Sequence, residues 1–169
     1  SISQSGKYGP VGAMHWFAEP LYGYYYANDE WVHRKHAELL TQANVDFLYF
    51  DVTNGYYYLN NALSVMKACH ELNEQGFDAP QVVFYTHSGA ENVVRGLYND
   101  IYSKGLYEDT WFRIDGKPVV IAPYEANIND FFTIKREQWP NDITTNQNGW
   151  PWMDFNWPAR VFPGLDADK

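Results

Sequence analysis

Four acidic side chains stand where apolar runs of the sequence give out. Asp51 ends "VDFLYFD", Glu125 follows "GKPVVIAPY", Glu19 lies just past "VGAMHWF", and Asp154 sits within "WPWMDFNW". Each has aromatic or hydrogen-bonding company: His15 and Trp16 before Glu19, Thr53 and Asn54 after Asp51, Tyr124 beside Glu125, and Trp152 and Trp157 around Asp154. A further apolar run, "QVVFYTH", leads into Thr86, His87 and Ser88. Two carboxylates flanking a glycosidic bond can divide its hydrolysis between them, one giving a proton to the leaving oxygen and the other acting as base or nucleophile. They stand roughly 5 Å or 6.5–9.5 Å apart according to the stereochemical outcome. Spacing along the chain selects no pair among the four. At Asp51 a local role competes, because Asp-x-Thr-Asn-Gly is also the pattern of an Asx turn or a cap on the following helix.

The elements that must position these residues repeat. "VGAMHWF" (Val11 to Phe17) reads as a buried strand. Glu30 to Asn44 reads as an amphipathic helix with Trp31, Val32, Ala37, Leu39 and Leu40 near one face and Asn28 or Asp29 as N-cap. The strand ending at Asp51 follows. Leu59 to Gln75 then predicts a helix with Leu63, Met66, Ala68 and Leu72 inward and Gly76 as its stop. After the strand "QVVFYTH", Glu91 to Ser103 repeats the helical pattern with Val93, Val94, Leu97 and Ile101, closed by Gly105. "TWFRIDGKPVVIAPY" reads as two short β-runs around an Asp115-Gly116 turn. Phe17, Asp51, His87 and Tyr124 lie 34, 36 and 37 residues apart, the period of a βα unit.

Strands alternating with helices predict an α/β fold with a parallel sheet, since each parallel pair needs a crossover of a dozen or more residues. An open doubly wound sheet fits this length, whereas an eight-stranded barrel takes about 250 residues. No Gly-rich phosphate fingerprint follows the first strand, which counts against a nucleotide-binding sheet. The preferred geometry is a single domain over residues 1–169, an incomplete (β/α)8 TIM-type barrel of about four to six strands, with "FFTIKREQW" and "WPWMDF" as its fifth and sixth. In either closure, ligands bind at the carboxyl ends of the strands.

Composition narrows the ligand. A net charge of −9 with only 12 Lys and Arg counts against a phosphate-backbone partner. Aromatics make up 18% of the chain, with 14 Tyr and 7 Trp, and many fall in loop-like stretches such as "LYGYYYANDEW" and "NGWPWMDFNW". Rings stack on apolar C–H faces and tyrosine hydroxyls bond sugar hydroxyls, so a carbohydrate partner fits. Other chemistries fit less well. His33 and His36 form an H-x-x-H without the Glu or spacing of a zinc-protease helix, and no G-x-S-x-G elbow accompanies His87 and Ser88. No metal and no cofactor is expected. The lone Cys69 reads as a small packed residue, no apolar run reaches the roughly 20 residues of a membrane span, and "SISQSGKYGP" shows no signal peptide.

Several stretches together resemble a known group: "GYYYANDEWVHRKHAELLTQANVDFLYFDVTNG", "PQVVFYTHSG", "YEDTWFRIDGKPVVIA" and "DFFTIKREQW" before "WPWMDF". The chain resembles the secreted (β/α)8 glycoside hydrolases related to the endo-α-mannosidases and mutanases, over nearly its whole length. "VDFLYFDVTNG" and "RIDGKPVV" are the most specific pieces. The resemblance implies that Asp51 and Asn54 line a sugar site, that the aromatic loop after the first strand forms one wall, and that the protein is secreted or periplasmic. In that group the best-established catalytic acids lie on later strands, near a Trp-rich motif containing Glu. That motif does not occur before "RVFPGLDADK", so the resemblance implies the N-terminal part of a barrel.

The resulting expectation is hydrolysis of glycosidic bonds, α-linked by the resemblance, in an oligo- or polysaccharide. The catalytic candidates are Asp51, Glu125 and Asp154. The substrate-binding candidates are His15, Trp16, Glu19, Tyr22, Asn54, His87, Tyr124 and Trp152. The alternative is a non-catalytic carbohydrate-binding module built from the same rings.

Overall fold

The computed structural model describes residues 18–138 and 149–151. The strand expected over Val11 to Phe17 lies outside the described residues, as do His15, Trp16, Trp152 and Asp154. Helix α1 (Glu30–Gln42) begins at Asp29, whose Oδ1 accepts from the Val32 amide at 3.1 Å, so of the two predicted caps Asp29 is the one used. Strand β1 (Phe47–Val52) and helix α2 (Leu59–Glu74) follow, then β2 (Gln81–Thr86) and α3 (Ala90–Asp100). Strands β3 (Arg113–Ile114) and β4 (Lys117–Ile121) form the expected hairpin. Asp115 (φ 52°) and Gly116 (φ 80°) both take the left-handed turn that matches strand twist. Strands β5 (Thr133–Gln138) and β6 (Gly149–Pro151) complete the described sheet.

The parallel strands run β1-β2-β4-β5-β6, each beside the next parallel strand in the chain, with β3 antiparallel on β4. An order that never reverses puts right-handed crossover helices on one side of the sheet. Met66 of α2 and Val93, Val94, Leu97 and Ile101 on and just past α3 pack there against Val52, Val82, Phe84 and Val120. The opposite side carries a second cluster: Val83, Tyr85, Val119, Ile121 and Trp150, flanked by Phe47, Phe112 and Ile114. In a flat sheet β1 and β6 would stand about 19 Å apart, four strand spacings of about 4.8 Å. Instead Phe47 of β1 stacks on Trp150 of β6, ring centroids 5.7 Å apart at 22°, and Tyr49 meets the same indole at 5.9 Å. The sheet is therefore curled into a parallel half-barrel, with its helices outside and a ring-lined concave face inside.

The predicted inward faces of α2 and α3 are buried, Leu63 only in part, whereas α1 departs from expectation. Val32 and Ala37 are covered, but Trp31 is 56% and Leu39 50% exposed. Helix α1 packs chiefly on α2 rather than over the sheet, so only a narrow stripe of it is covered. That contact is laced by Arg34 to Glu71 (3.2 Å) and Lys67 to Glu30 (2.8 Å), exposed pairs that contribute little to stability. It is also laced by His33 Nδ1 with Ser64 Oγ at 2.7 Å. Burial holds the His33 imidazole below its ordinary value of 6.5. Below about pH 6.5 the unfolded chain therefore takes up a proton that the folded chain resists, and stability falls as pH drops towards the folded value. Urea midpoints at about pH 7.5 and 5.5 should diverge more in the wild type than in His33→Gln, and equal divergence would remove His33 as a source.

Candidate active site at the carboxyl ends of the strands

Side chains alternate along a strand, and paired residues of parallel neighbours share a face. The register Asp51↔Tyr85, Tyr85↔Ile121 and Ile121↔Lys135 forms one row across the concave face. Two residues further towards the carboxyl ends, on the same face, come His87 and Glu137. The lower rows carry Phe47, Val83 and Val119, beside Gln81 and Thr133, with Phe112 delivered beneath them by the chain entering the β3–β4 hairpin. The concave face is thus a packed aromatic floor with a polar rim. Asp51 caps its column of Phe47 and Tyr49, as the alternation of "VDFLYFD" predicts.

Asp51 is exposed and does make the local turn. Its Oδ1 accepts from the Thr53 amide at 3.0 Å and from Thr53 Oγ1 at 2.7 Å. Its Oδ2 takes part in neither bond. The turn is pinned to the next strand, since Ser88 N donates to Thr53 O (2.9 Å) and a Cβ on Gly55 (φ 84°) would come within 3.1 Å of Ser88 O. Glycine is required here for both its conformation and the close approach.

His87 reaches over β4 to β5, where its Nδ1 lies 2.7 Å from Glu137 Oε1. With Glu137 as carboxylate, which only accepts, Nδ1 donates and Nε2 is the basic nitrogen. Glu137 Oε2 is shielded from solvent and meets no hydrogen-bond donor among the described residues. A carboxylate oxygen in that position is costly and calls for a reason. Tyr85 lies beneath. Burial, and then the nearby charges of Glu137 and Asp51, push its phenol well above the ordinary range, so it stays protonated. Tyr49, raised by burial, does likewise and meets Tyr85 edge-on at 6.0 Å. Lys135 Nζ sits 5.8 Å from the Trp150 ring centroid.

Of the described residues singled out from sequence, Asp51 and His87 share this face. Asn54 sits in the loop just beyond, its Nδ2 donating to Tyr58 Oη at 2.8 Å. Tyr124 lies in a 3-10 turn (Tyr124–Ala126) after β4, 5.4 Å from the guanidinium of Arg136, a β5 residue of the opposite parity to Glu137. It belongs to the outer rim rather than the concave face. Glu125 is exposed in the same turn. Tyr22 packs on α1 against Trp31 (5.1 Å) and His36 (6.0 Å), and Glu19 is exposed in the preceding loop near Gly23.

Glu137, Tyr85, Lys135 and Trp150 are the residues that sequence reasoning did not single out. Glu137 carried a usable signal: in "TIKREQ" the buried Ile134 fixes one face, so Thr133, Lys135 and Glu137 must share the other. Among the described residues no group of three or more His, Cys, Asp or Glu is arranged to hold a metal ion. Cys69 is buried, its thiol pushed up to about 11 by burial, which suits packing rather than nucleophilic work. No described helix is long and apolar enough to cross a membrane. Set against protein-family models, curated proteins and solved structures, the chain matches none.

Proposed function

We propose that this chain supplies one side of a (β/α)8 glycoside hydrolase acting on an oligo- or polysaccharide. The observation that carries the reading is the gathering of Asp51, His87 and Glu137 on one concave face at the carboxyl ends of the strands, above a floor of rings. Carboxylates over aromatic surface suit a neutral, hydroxyl-rich ligand whose C–H faces stack while its oxygens are bonded. In this reading Glu137 is the acid/base group. His87 holds Oε1 and so orients the carboxyl, which delivers its proton to the leaving oxygen as the C–O bond breaks. Asp51 is the second carboxylate, oriented by Thr53 and presenting Oδ2 to a sugar hydroxyl or to water. The strand order, the outside placement of the helices and the family-like motifs support the barrel assignment.

The test is turnover and binding of α-linked glycans by the natural protein beside its Asp51→Asn variant. Loss of turnover with binding retained is the expected result, and unchanged turnover would remove Asp51 from the mechanism. Wild-type binding without any bond cleavage would instead favour a non-catalytic carbohydrate-binding module. Thermal stabilisation by nucleotides and not by sugars would replace both readings.

A further inference from the structure

The triplet Tyr56-Tyr57-Tyr58, between β1 and α2, is not uniformly buried. The middle ring is anchored: Tyr57 Oη donates to Asp100 Oδ2 at 2.6 Å, and the ring lies where a side chain at position 96 would stand, a Cβ on Gly96 falling 2.7 Å from it. Because Tyr57 is held on α3, its two neighbours project away. Tyr56 is 62% and Tyr58 45% exposed, and their rings meet edge to face at 4.8 Å. Tyr58 has a left-handed backbone (φ 42°), which a ring-bearing residue seldom adopts unless its surroundings impose it. Asn54 imposes it from both sides of the turn, accepting from the Tyr56 amide at 3.3 Å and donating to Tyr58 Oη at 2.8 Å.

The rings line a hollow of about 430 Å³ with Leu59, Asn60 and Asn61, and among the described residues no charged side chain belongs to its lining. In a chain of net charge −9 that neutrality is selective. Rings plus side-chain amides, without charge, are the groups that bind a pyranose: C–H faces against tyrosine, hydroxyls against amide and phenol. The hollow shares Tyr57, Tyr58 and Asn61 with a second one of about 290 Å³ that reaches Asp51. We propose that Tyr56, Tyr58 and Asn61 form an outer sugar subsite, one that holds a ring of a longer glycan beyond the residue engaged at Asp51. The inference rests on the carbohydrate reading above and deepens it.

The experiment compares affinity of the natural protein and its Tyr56→Ala and Asn54→Ala variants for a ladder of α-linked oligosaccharides from disaccharide to hexasaccharide. Thermal melts confirm that each variant is folded. Tyr56 is exposed, so its removal leaves the core intact, and Tyr58→Phe serves as a second variant that keeps the ring and loses only its tether. In the wild type, affinity should rise with chain length. Tyr56→Ala should cost about tenfold on the long ligands, the scale of one ring contact, and little on the shortest. Wild-type affinity of Tyr56→Ala at every length overturns the subsite while leaving the Asp51 site standing. Failure of the wild type to bind any member of the ladder overturns both.

Discussion

Glu137→Gln is expected to lower glycan turnover by about 10²–10⁴ fold, the usual contribution of a positioned general acid or base. The substitution keeps the shape of the side chain and an oxygen that accepts from His87 Nδ1, now 2.7 Å away. What it removes is the carboxyl proton. An unchanged melting temperature would establish that the variant keeps its fold. The readout is kcat/KM against pH on an activated glycoside. Turnover equal to wild type would return Glu137 to a structural role and leave the orphaned oxygen without a purpose.

The largest stability effect should come from Phe84→Ala, at about 3–5 kcal/mol. Phe84 is fully buried in the middle of β2, edge-on to Phe50 at 5.3 Å and near Tyr102 at 6.4 Å, and it packs between the sheet and the helices on its outer side. The backbone cannot close the space, because the adjacent strands are fixed by register and Thr86 Oγ1 locks β2 to β4 through Ile121 O at 2.8 Å. A loss of that size is a large fraction of the roughly 5–15 kcal/mol that holds a domain together. Equilibrium urea unfolding measures it. Leu21→Ala is the contrast: that side chain is 89% exposed, and its removal should fall within about 0.5 kcal/mol of wild type. A loss below about 1 kcal/mol at Phe84 would mean that the interface between sheet and helices relaxes far more than its packing implies.

Much of the frame was legible because local chemistry and tertiary demand agree. Gly76 and Gly105 stop the chain in left-handed turns, Asp115-Gly116 makes the hairpin, and the apolar faces of α2 and α3 are the buried ones. The site was legible only in part. Asp51 and His87 end conspicuous apolar runs, whereas Glu137 lies within "FFTIKREQW", read as a strand but with charged residues of both parities along it. Parity, not hydropathy, marks it. Closeness in sequence to a strand end does not fix the face: Tyr124 lies in a 3-10 turn, beside Arg136. At Asp51 the expected Asx turn is present, occupying one oxygen and leaving the other outside it.

The contact between Phe47 and Trp150 joins residues about a hundred positions apart, while every strand pairing in the half-barrel links neighbours along the parallel order. Short-range pairings close small loops and form early; a long-range one bears the greater entropic penalty. Assembly on a ribosome can therefore proceed unit by unit from the amino-terminal side. The ring contact across the curl forms once β6 has emerged and its indole bridges back to β1, after the helices between these strands can already have docked.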